Sequence, residues 1–509
     1  MLASLRSAVL DALWGQVITV EVHLSNGLPS YSVVGLPDAS VRESRERVRA
    51  ALLSQGYVWP LRRLTVNLAP GGLRKCGAGL EAAVALGVLA AAEELPLEVL
   101  ADTAVIGELG LDGSLRSVPG TLALVEACRA AGIGRVIVPE LNLFEAELVQ
   151  GITVRSASSL RQLCNRLIGL EPWDDGFPTE PAHSGTASGY ANSNGVRNSR
   201  GRGRHVSLDS VRGMPSARQM IELAAAGGHH CLLTGPPGVG KTMLAEVIRG
   251  LTPELEDYEA LEVTRIHSIA GVWADGELIR ERPFHSPHHT ASATAIVGGG
   301  GGRPSPGAVT LAHRGTLFLD ELAEFPTRAL DALREPMEQG RIHIARTPTA
   351  CEFPADFQLL GCCNTCPCAR FPCVCPEPAV DRYRRRISGP LQDRFELKLR
   401  TEPSGRLEGD GRVERDRRTA AEVSGRIAVA MARQHERGWG WRGNAKAQAE
   451  DLIDGVAPSV QRALETLPGS RRSILNTLRV ARTAADLDGR DLIVDDHLTI
   501  ALAYQGEPI

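Results

Sequence analysis

The stretch Gly235-Pro-Pro-Gly-Val-Gly-Lys-Thr242 constrains this chain more than any other. Glycine, four free positions, then Gly-Lys-Thr is the pattern of a loop that wraps phosphate, and it requires a strand before it and a helix after it. Both flanks fit. Cys231-Leu-Leu-Thr234 is apolar enough to be a buried strand, and Met243 to Arg249 reads as a helix. Gly235, Pro236, Pro237, Gly238, Val239 and Gly240 would turn backbone N–H groups inward around phosphate oxygens, with the positive end of the new helix behind them. Lys241 would reach the β- and γ-phosphates, Thr242 would ligate Mg²⁺, and Met243 would close the ATP-binding set.

At 509 residues the chain is too long for one core, and its length suggests about three domains. Aromatic residues are only 4% against 43% hydrophobic overall, so the cores should be aliphatic. The net charge of −4 marks no global nucleic-acid binder, so any DNA contact must come from local basic patches or the lining of an oligomeric channel. Met1 to Leu10 is weakly amphipathic and lacks the apolar run of a signal peptide. The best membrane-span candidate, Ala82 to Ala92, is too short and is flanked by Glu81 and Glu93. A cytoplasmic location without membrane attachment is expected, with the 11 cysteines reduced or metal-bound.

Residues 1–168 alternate strand and helix patterns, an α/β domain. Residues 169–205 lose their aliphatics and read as a flexible linker. Arg197, Arg200, Arg202 and Arg204 there either brush a phosphate backbone or decorate a solvated tether. Residues 206–400 carry the P-loop module with a Cys-rich insertion at 362–375. Residues 401–509 open with a polar connector and continue as helices, including Ala420 to Glu436 and Arg471 to Leu487, a helical lid.

Thr316-Leu-Phe-Leu-Asp-Glu321 supplies the second half of a nucleotide site, because an apolar strand ending in two carboxylates sets them at a sheet edge. Asp320 would organise Mg²⁺ through its water shell, and Glu321 would orient or deprotonate the attacking water. Asn364 ends another apolar run and either bonds that water or caps a turn. Arg394 either reaches a neighbour's γ-phosphate or makes an ordinary salt bridge, and Arg472 opens a lid helix from which it could read a γ-phosphate.

Cys366, Cys368, Cys373 and Cys375 pack four thiols into ten residues, a candidate Zn²⁺ site or a set of reduced thiols. Cys362 and Cys363 read as core. His288-His289 is a weak metal candidate, better read as a loop contact. Arg382-Tyr-Arg-Arg-Arg386 suits phosphate or a subunit interface. The run Gly298 to Gly302 reads as a mobile channel loop or a surface insertion.

With these residues in place the chain resembles the ComM/YifB family of magnesium-chelatase-like AAA+ ATPases. The resemblance rests on Val34-Gly-Leu-Pro-Asp38, Val66-Asn-Leu-Ala-Pro70, Gly107-Glu-Leu-Gly-Leu-Asp-Gly113, Pro287-His-His-Thr290, Leu311-Ala-His-Arg-Gly315, Ser388-Gly-Pro-Leu391 and Ala481-Arg-Thr-Ala-Ala-Asp-Leu487. It implies a Lon-protease-like, ribosomal-S5-type α/β domain, a AAA+ P-loop NTPase core and a helical C-terminal lid. It also implies a homo-hexameric ring acting on branched or single-stranded DNA, similar to branch-migration helicases of natural transformation, with recombination proteins as candidate partners. Asn364 takes the place of sensor 1, Arg394 of the trans-acting arginine finger, Arg472 of sensor 2, and Arg212-Gly213 lies near the adenine. Departures occur at Thr365, Ala369, Gln392, Phe395-Glu396 and Asn476. Gly stands where a Lon-type serine would sit in Lys75-Cys-Gly-Ala-Gly-Leu-Glu81, so peptidase chemistry is not expected. The rival reading is a chelatase-like ATPase that remodels a protein partner or a metal-insertion complex.

Overall fold

The computed structural model describes residues 1–173, 206–211, 214–273, 276–300, 304–346, 349–370, 372–401 and 418–506. The four linker arginines from 197 to 204, Arg212-Gly213 and the connector 402–417 lie outside the described residues. The chain divides into two compact units, residues 1–187 with 260–279, and 188–259 with 280–509.

The first unit is built on a mixed seven-stranded sheet. Its strands are Leu2–Asp11 (β1), Trp14–Ser25 (β2), Ser30–Val34 (β3), Arg63–Ala69 (β4), Thr103–Val105 (β5), Arg135–Pro139 (β6) and Thr153–Ala157 (β7), in the order β3-β4-β2-β1-β5-β6-β7. Within Met1–Leu10, expected as a weakly amphipathic lead-in, residues 2–10 instead form most of β1. Ala3, Leu5 and Ser7 are buried while Leu2, Ser4 and Arg6 are exposed, the two-residue period of a strand, and β1 pairs along its whole length with β2.

The helix Ala39–Ser54 starts at Asp38, whose carboxylate accepts the Val41 N–H at 2.8 Å. The helix Glu81–Ala91 is buried throughout, and its Glu81 is paired with Arg47 at 2.6 Å. In the Lys75–Glu81 stretch, a Cβ added to Gly79 would lie 3.1 Å from the Val118 side chain.

Residues 260–279, expected within the 206–400 module, pack with this first unit. Ser268 accepts the Gly120 N–H at 2.9 Å and donates to the buried Glu145, while Arg265 pairs with Glu126 at 2.9 Å. The signal was a helix, Asp257–Ile269, that the sequence pattern did not reveal.

The second unit holds a five-stranded parallel sheet: Cys231–Thr234 (β8), Phe284–His285 (β9), Thr316–Leu319 (β10), Gln358–Cys363 (β11) and Leu397–Arg400 (β12). The order is β9-β10-β11-β8-β12, which inserts β8 between strands that follow it in the chain. Thr234 is level with Cys363, and Leu319 with Gly361, so β8, β10 and β11 finish along one edge. A parallel sheet binds ligands at that edge, where the strand order reverses. The helices Ala420–Glu436, Arg471–Leu487 and Asp495–Ala503 share one apolar cluster with this sheet, including Ile221, Leu360, Ile427, Val480 and Tyr504. Each fully buried aliphatic side chain there contributes about 1.5–3 kcal/mol.

The first two residues of the glycine run depart from expectation. Gly298 and Gly299 are buried and form a short antiparallel ladder with Ser305 and Pro306. Their φ values of 101° and 135° suit glycine, and a Cβ on Gly298 would meet the Ser305 carbonyl at 2.8 Å. Absent side chains here permit close backbone approach, so this part of the run is neither a free loop nor a surface insertion. A hairpin of Arg341–Arg346 with Thr349–Pro354 was also not anticipated.

Candidate nucleotide site

Three chain segments leave the sheet edge side by side. The loop after β8 turns through Gly238 and Gly240, with φ of 82° and 83°, and enters the helix Lys241–Leu251. Positive φ at these two positions aims successive N–H groups toward the helix axis, an anion cradle backed by the helix dipole. Gly235 must lack a side chain, because a Cβ there would lie 2.7 Å from the Thr401 carbonyl oxygen.

Lys241 is buried, and its ammonium donates to the carbonyls of Gly235 at 2.8 Å and Pro236 at 2.9 Å, and to Asn364 Oδ1 at 3.1 Å. All three acceptors are neutral. Burial holds the Lys241 pKa below the ordinary lysine value, and Asp320 and Glu321 act in the opposite direction. An incompletely neutralised cation beside a cradle of N–H groups suits a polyphosphate.

Thr242 Oγ1 donates to Asp320 Oδ2 at 3.0 Å, and Asp320 Oδ1 accepts the Glu321 N–H at 2.9 Å. A hydroxyl and a carboxylate oxygen at that separation are the hard donors Mg²⁺ takes while keeping most of its waters. Glu321 has φ of 52°, uncommon for a residue with a side chain, and its carboxylate lies 3.1 Å from His289 Nδ1. Lys241, Thr242, Asp320, Glu321 and Asn364 are therefore gathered at one edge.

Arg394 and Arg472 meet elsewhere. Arg394 pairs with Glu338 Oε1 at 2.7 Å and also donates to the Arg334 carbonyl at 3.3 Å. Arg472 pairs with the same Glu338 oxygen. Both guanidiniums line a cavity of ≈ 650 Å³ with Arg442, Lys446, Arg471 and Arg479, and no P-loop residue lines it. Neighbouring Asn476, one of the departures from the family pattern, donates to the Asp393 carbonyl at 3.0 Å and ties the lid helix to this wall.

The sulfur atoms of Cys366, Cys368, Cys373 and Cys375 all lie within 4.8 Å of one another. Four thiolates about 2.3 Å from zinc stand about 3.8 Å apart, so the donor set fits Zn²⁺. Hydrogen bonds, first from the Val374 backbone, draw the Cys368 thiol down to about 6, favouring the thiolate. Cys362 and Cys363 are buried in β11, apart from this group. His288 Nδ1 bonds Thr290 Oγ1 at 2.9 Å, a loop contact.

Two contacts at these sites were not read from the sequence. The sequence marks His289 only as a weak metal candidate or loop contact and Glu338 not at all, and their positions against Glu321 and the two arginines single them out.

Comparison with known proteins gives three family matches along the chain. The family described as magnesium chelatase, subunit ChlI, matches residues 207–408, its N-terminal companion described as subunit ChlI of Mg-chelatase matches 20–142, and the subunit ChlI C-terminal family matches 417–505. The chain is 40% identical to the uncharacterized protein YifB of Escherichia coli K12, over 96% of this chain and 94% of that one. It is 37% identical to the competence protein ComM of Haemophilus influenzae Rd, over 96% and 94%. A shorter stretch of 95 residues is 30% identical to the archaeal Lon protease of Methanocaldococcus jannaschii, covering 19% of this chain and 14% of that protein. Among the described residues no helix is long and apolar enough to cross a membrane. With α/β units of Lon-like and AAA+ type and a helical C-terminal region, the chain belongs to the ComM/YifB family of magnesium-chelatase-like AAA+ ATPases.

Proposed function

We propose that the chain is an ATP-driven motor that works in the cytoplasm as a homo-hexamer on branched or single-stranded DNA, as a ComM-like branch-migration helicase linked to transformation and recombination. The observation that carries this reading is the separation of two half-sites. One edge holds Lys241, Thr242, Asp320 and Glu321, while Arg394 and Arg472 are paired in a cavity lined by none of the P-loop residues. Arginines held apart from their own P-loop are suited to another copy's phosphates, and repetition of such a head-to-tail contact closes a ring. The name of the competence protein among the relatives points the motor toward DNA.

In this reading the backbone of residues 235–240 and Lys241 bind the β- and γ-phosphates of ATP. Thr242 and Asp320 would hold Mg²⁺, which when bound neutralises charge on the phosphate oxygens. Glu321 accepts the proton of the attacking water, Asn364 orients Lys241 and the water, and a neighbour's Arg394 and Arg472 stabilise the charge spreading over the γ-phosphoryl oxygens. Met243 closes the pocket. Zinc held by the four cysteines would clamp the loop that follows Asn364.

The chelatase subunit family match favours the second reading, a motor that remodels a protein partner or metal-insertion complex. Migration of a synthetic four-way junction, with DNA-stimulated ATP hydrolysis abolished in Glu321→Gln, tests the first. Stimulation by a protein partner and none by any DNA would transfer the assignment to the second.

A further inference from the structure

We propose that the cavity lined by Arg394 and Arg472 is a second phosphate site, separate from the P-loop, that holds free inorganic phosphate on Arg479. The inference goes beyond the motor reading, because such binding needs neither hydrolysis nor a neighbouring copy.

The cavity carries more positive charge than its own acids match. Six cations line it against three carboxylates, Glu338, Asp393 and Glu396. Arg394 and Arg472 share Glu338, while Arg442 and Lys446 meet Asp356 at 3.4 Å and 2.6 Å. Arg479 has no such counter-ion. Among the described residues its half-buried guanidinium donates from Nε to the Ala447 carbonyl at 2.8 Å and makes no ion pair. Glu396 gives Oε2 to the His230 N–H at 2.8 Å instead. Burial pulls the Arg479 pKa below the ordinary arginine value; Glu396 opposes this, and the like charges of Arg442 and Arg472 add to it. Three guanidiniums crowded in a partly desolvated space are stabilised by an anion among them.

The sequence sets these donors by helical spacing. Arg472, Asn476 and Arg479 stand at i, i+4 and i+7 of the helix Arg471–Leu487 and share one face. Asn476 ties that face to the Asp393 carbonyl at 3.0 Å. With Nε held by Ala447, the plane of the Arg479 guanidinium is fixed, and its two terminal nitrogens form a fork suited to an oxyanion. A tetrahedral anion accepts from several directions at once, which fits guanidiniums arriving from different elements. The volume of ≈ 650 Å³ has ample room for phosphate and its waters. No Phe, Tyr or Trp is among the described residues that line it, so a nucleotide base finds no stacking face there. Phosphate in the cavity would also compete with Glu338 for Arg472.

The experiment titrates inorganic phosphate into the full chain carrying Lys241→Ala, which removes the P-loop cation. Ionic strength is held constant, nucleotide is left out, and binding is followed by calorimetry and phosphorus NMR. Binding should persist in this chain. Adding Arg479→Gln should weaken it about tenfold, the scale of charge-assisted hydrogen bonding. Adding Glu338→Gln instead frees Arg394 and Arg472 and should tighten phosphate severalfold, a gain that misfolding does not produce. Absence of phosphate binding to the Lys241→Ala chain would overturn the site. So would an affinity that Arg479→Gln leaves unchanged, or one that does not rise with Glu338→Gln. Binding of a non-hydrolysable ATP analogue without binding of phosphate would also overturn it, by assigning the cavity to a nucleotide's phosphoryl group. No hydrolysis is measured, so this site and the motor reading fail separately.

Discussion

Arg394 and Arg472 end on the same atom, Oε1 of Glu338. Two guanidiniums converging on one carboxylate oxygen are spaced to converge on one phosphate. Against the cost of burial, Arg394 and Arg472 draw the Glu338 carboxyl below its usual value, and Lys446 and Arg442 do the same for Asp356. Arg394→Ala should lower kcat about 10³-fold, the scale of an arginine finger, and Arg472→Ala about a hundredfold, with ATP still bound at Lys241. The double variant should lose less than the product of the two, because both act on one charge. Steady-state hydrolysis beside equilibrium nucleotide binding reads this out. Simple multiplication of the two losses would separate the two roles.

Lys241 and Glu321 should divide binding from chemistry. Lys241→Ala removes the cation beside the cradle and should abolish measurable ATP binding. Glu321→Gln keeps the side-chain shape and should bind ATP normally while losing about a hundredfold or more in kcat. Nucleotide titration of each variant decides the matter, and weak ATP binding by Glu321→Gln would count against its assignment as the base.

The cysteine cluster should carry about one zinc per chain, four thiolates being a closed structural set. Metal analysis of protein purified without chelator should show it, and Cys366→Ser with Cys368→Ser should lose it. Four of the 11 cysteines should also resist thiol reagents until a chelator is added. Metal-free protein whose four thiols react freely would leave the cluster as reduced cysteines.

His229 makes the second unit sensitive to acid. Its ring is fully buried against Thr483, 2.7 Å from the hydroxyl, and burial pushes its pKa down to about 3 from an ordinary 6.5, with Arg442 and Arg479 adding to the effect. Its contribution is complete above about 6.5. As pH falls from there toward about 3, the unfolded chain takes up a proton that the folded chain refuses, so stability drops. Denaturant midpoints at pH 7 and pH 5 should therefore separate more in wild type than in His229→Gln. Equal separations would assign the acid sensitivity to other groups.

The P-loop, the Asp320-Glu321 pair and the long lid helices were legible in the chain because each is written locally. Glycine spacing, an apolar run ending in carboxylates, and a helical period all lie within a dozen residues. The opening strand was not legible, since its alternation is interrupted where Ala8, Val9 and Leu10 are all buried and its partner strand completes the signal. Gly298 and Gly299, the start of the glycine run, were misjudged because buried pairing with Ser305 and Pro306 is a property of the fold.

By itself, the order of residues determined that this chain has a glycine-rich strand-to-helix turn of phosphate-loop pattern and presents two carboxylates nearby, because such patterns need particular side chains at short separation. Tertiary structure decided which distant groups meet. Parallel pairing of β9 with β10 brings His289 to Glu321, and the packing of the lid helix brings Arg472 to the Glu338 that Arg394 already holds. Such contacts between residues far apart in sequence depend on strand order and helix docking, which arise from burial of the whole apolar surface and leave no local pattern to read.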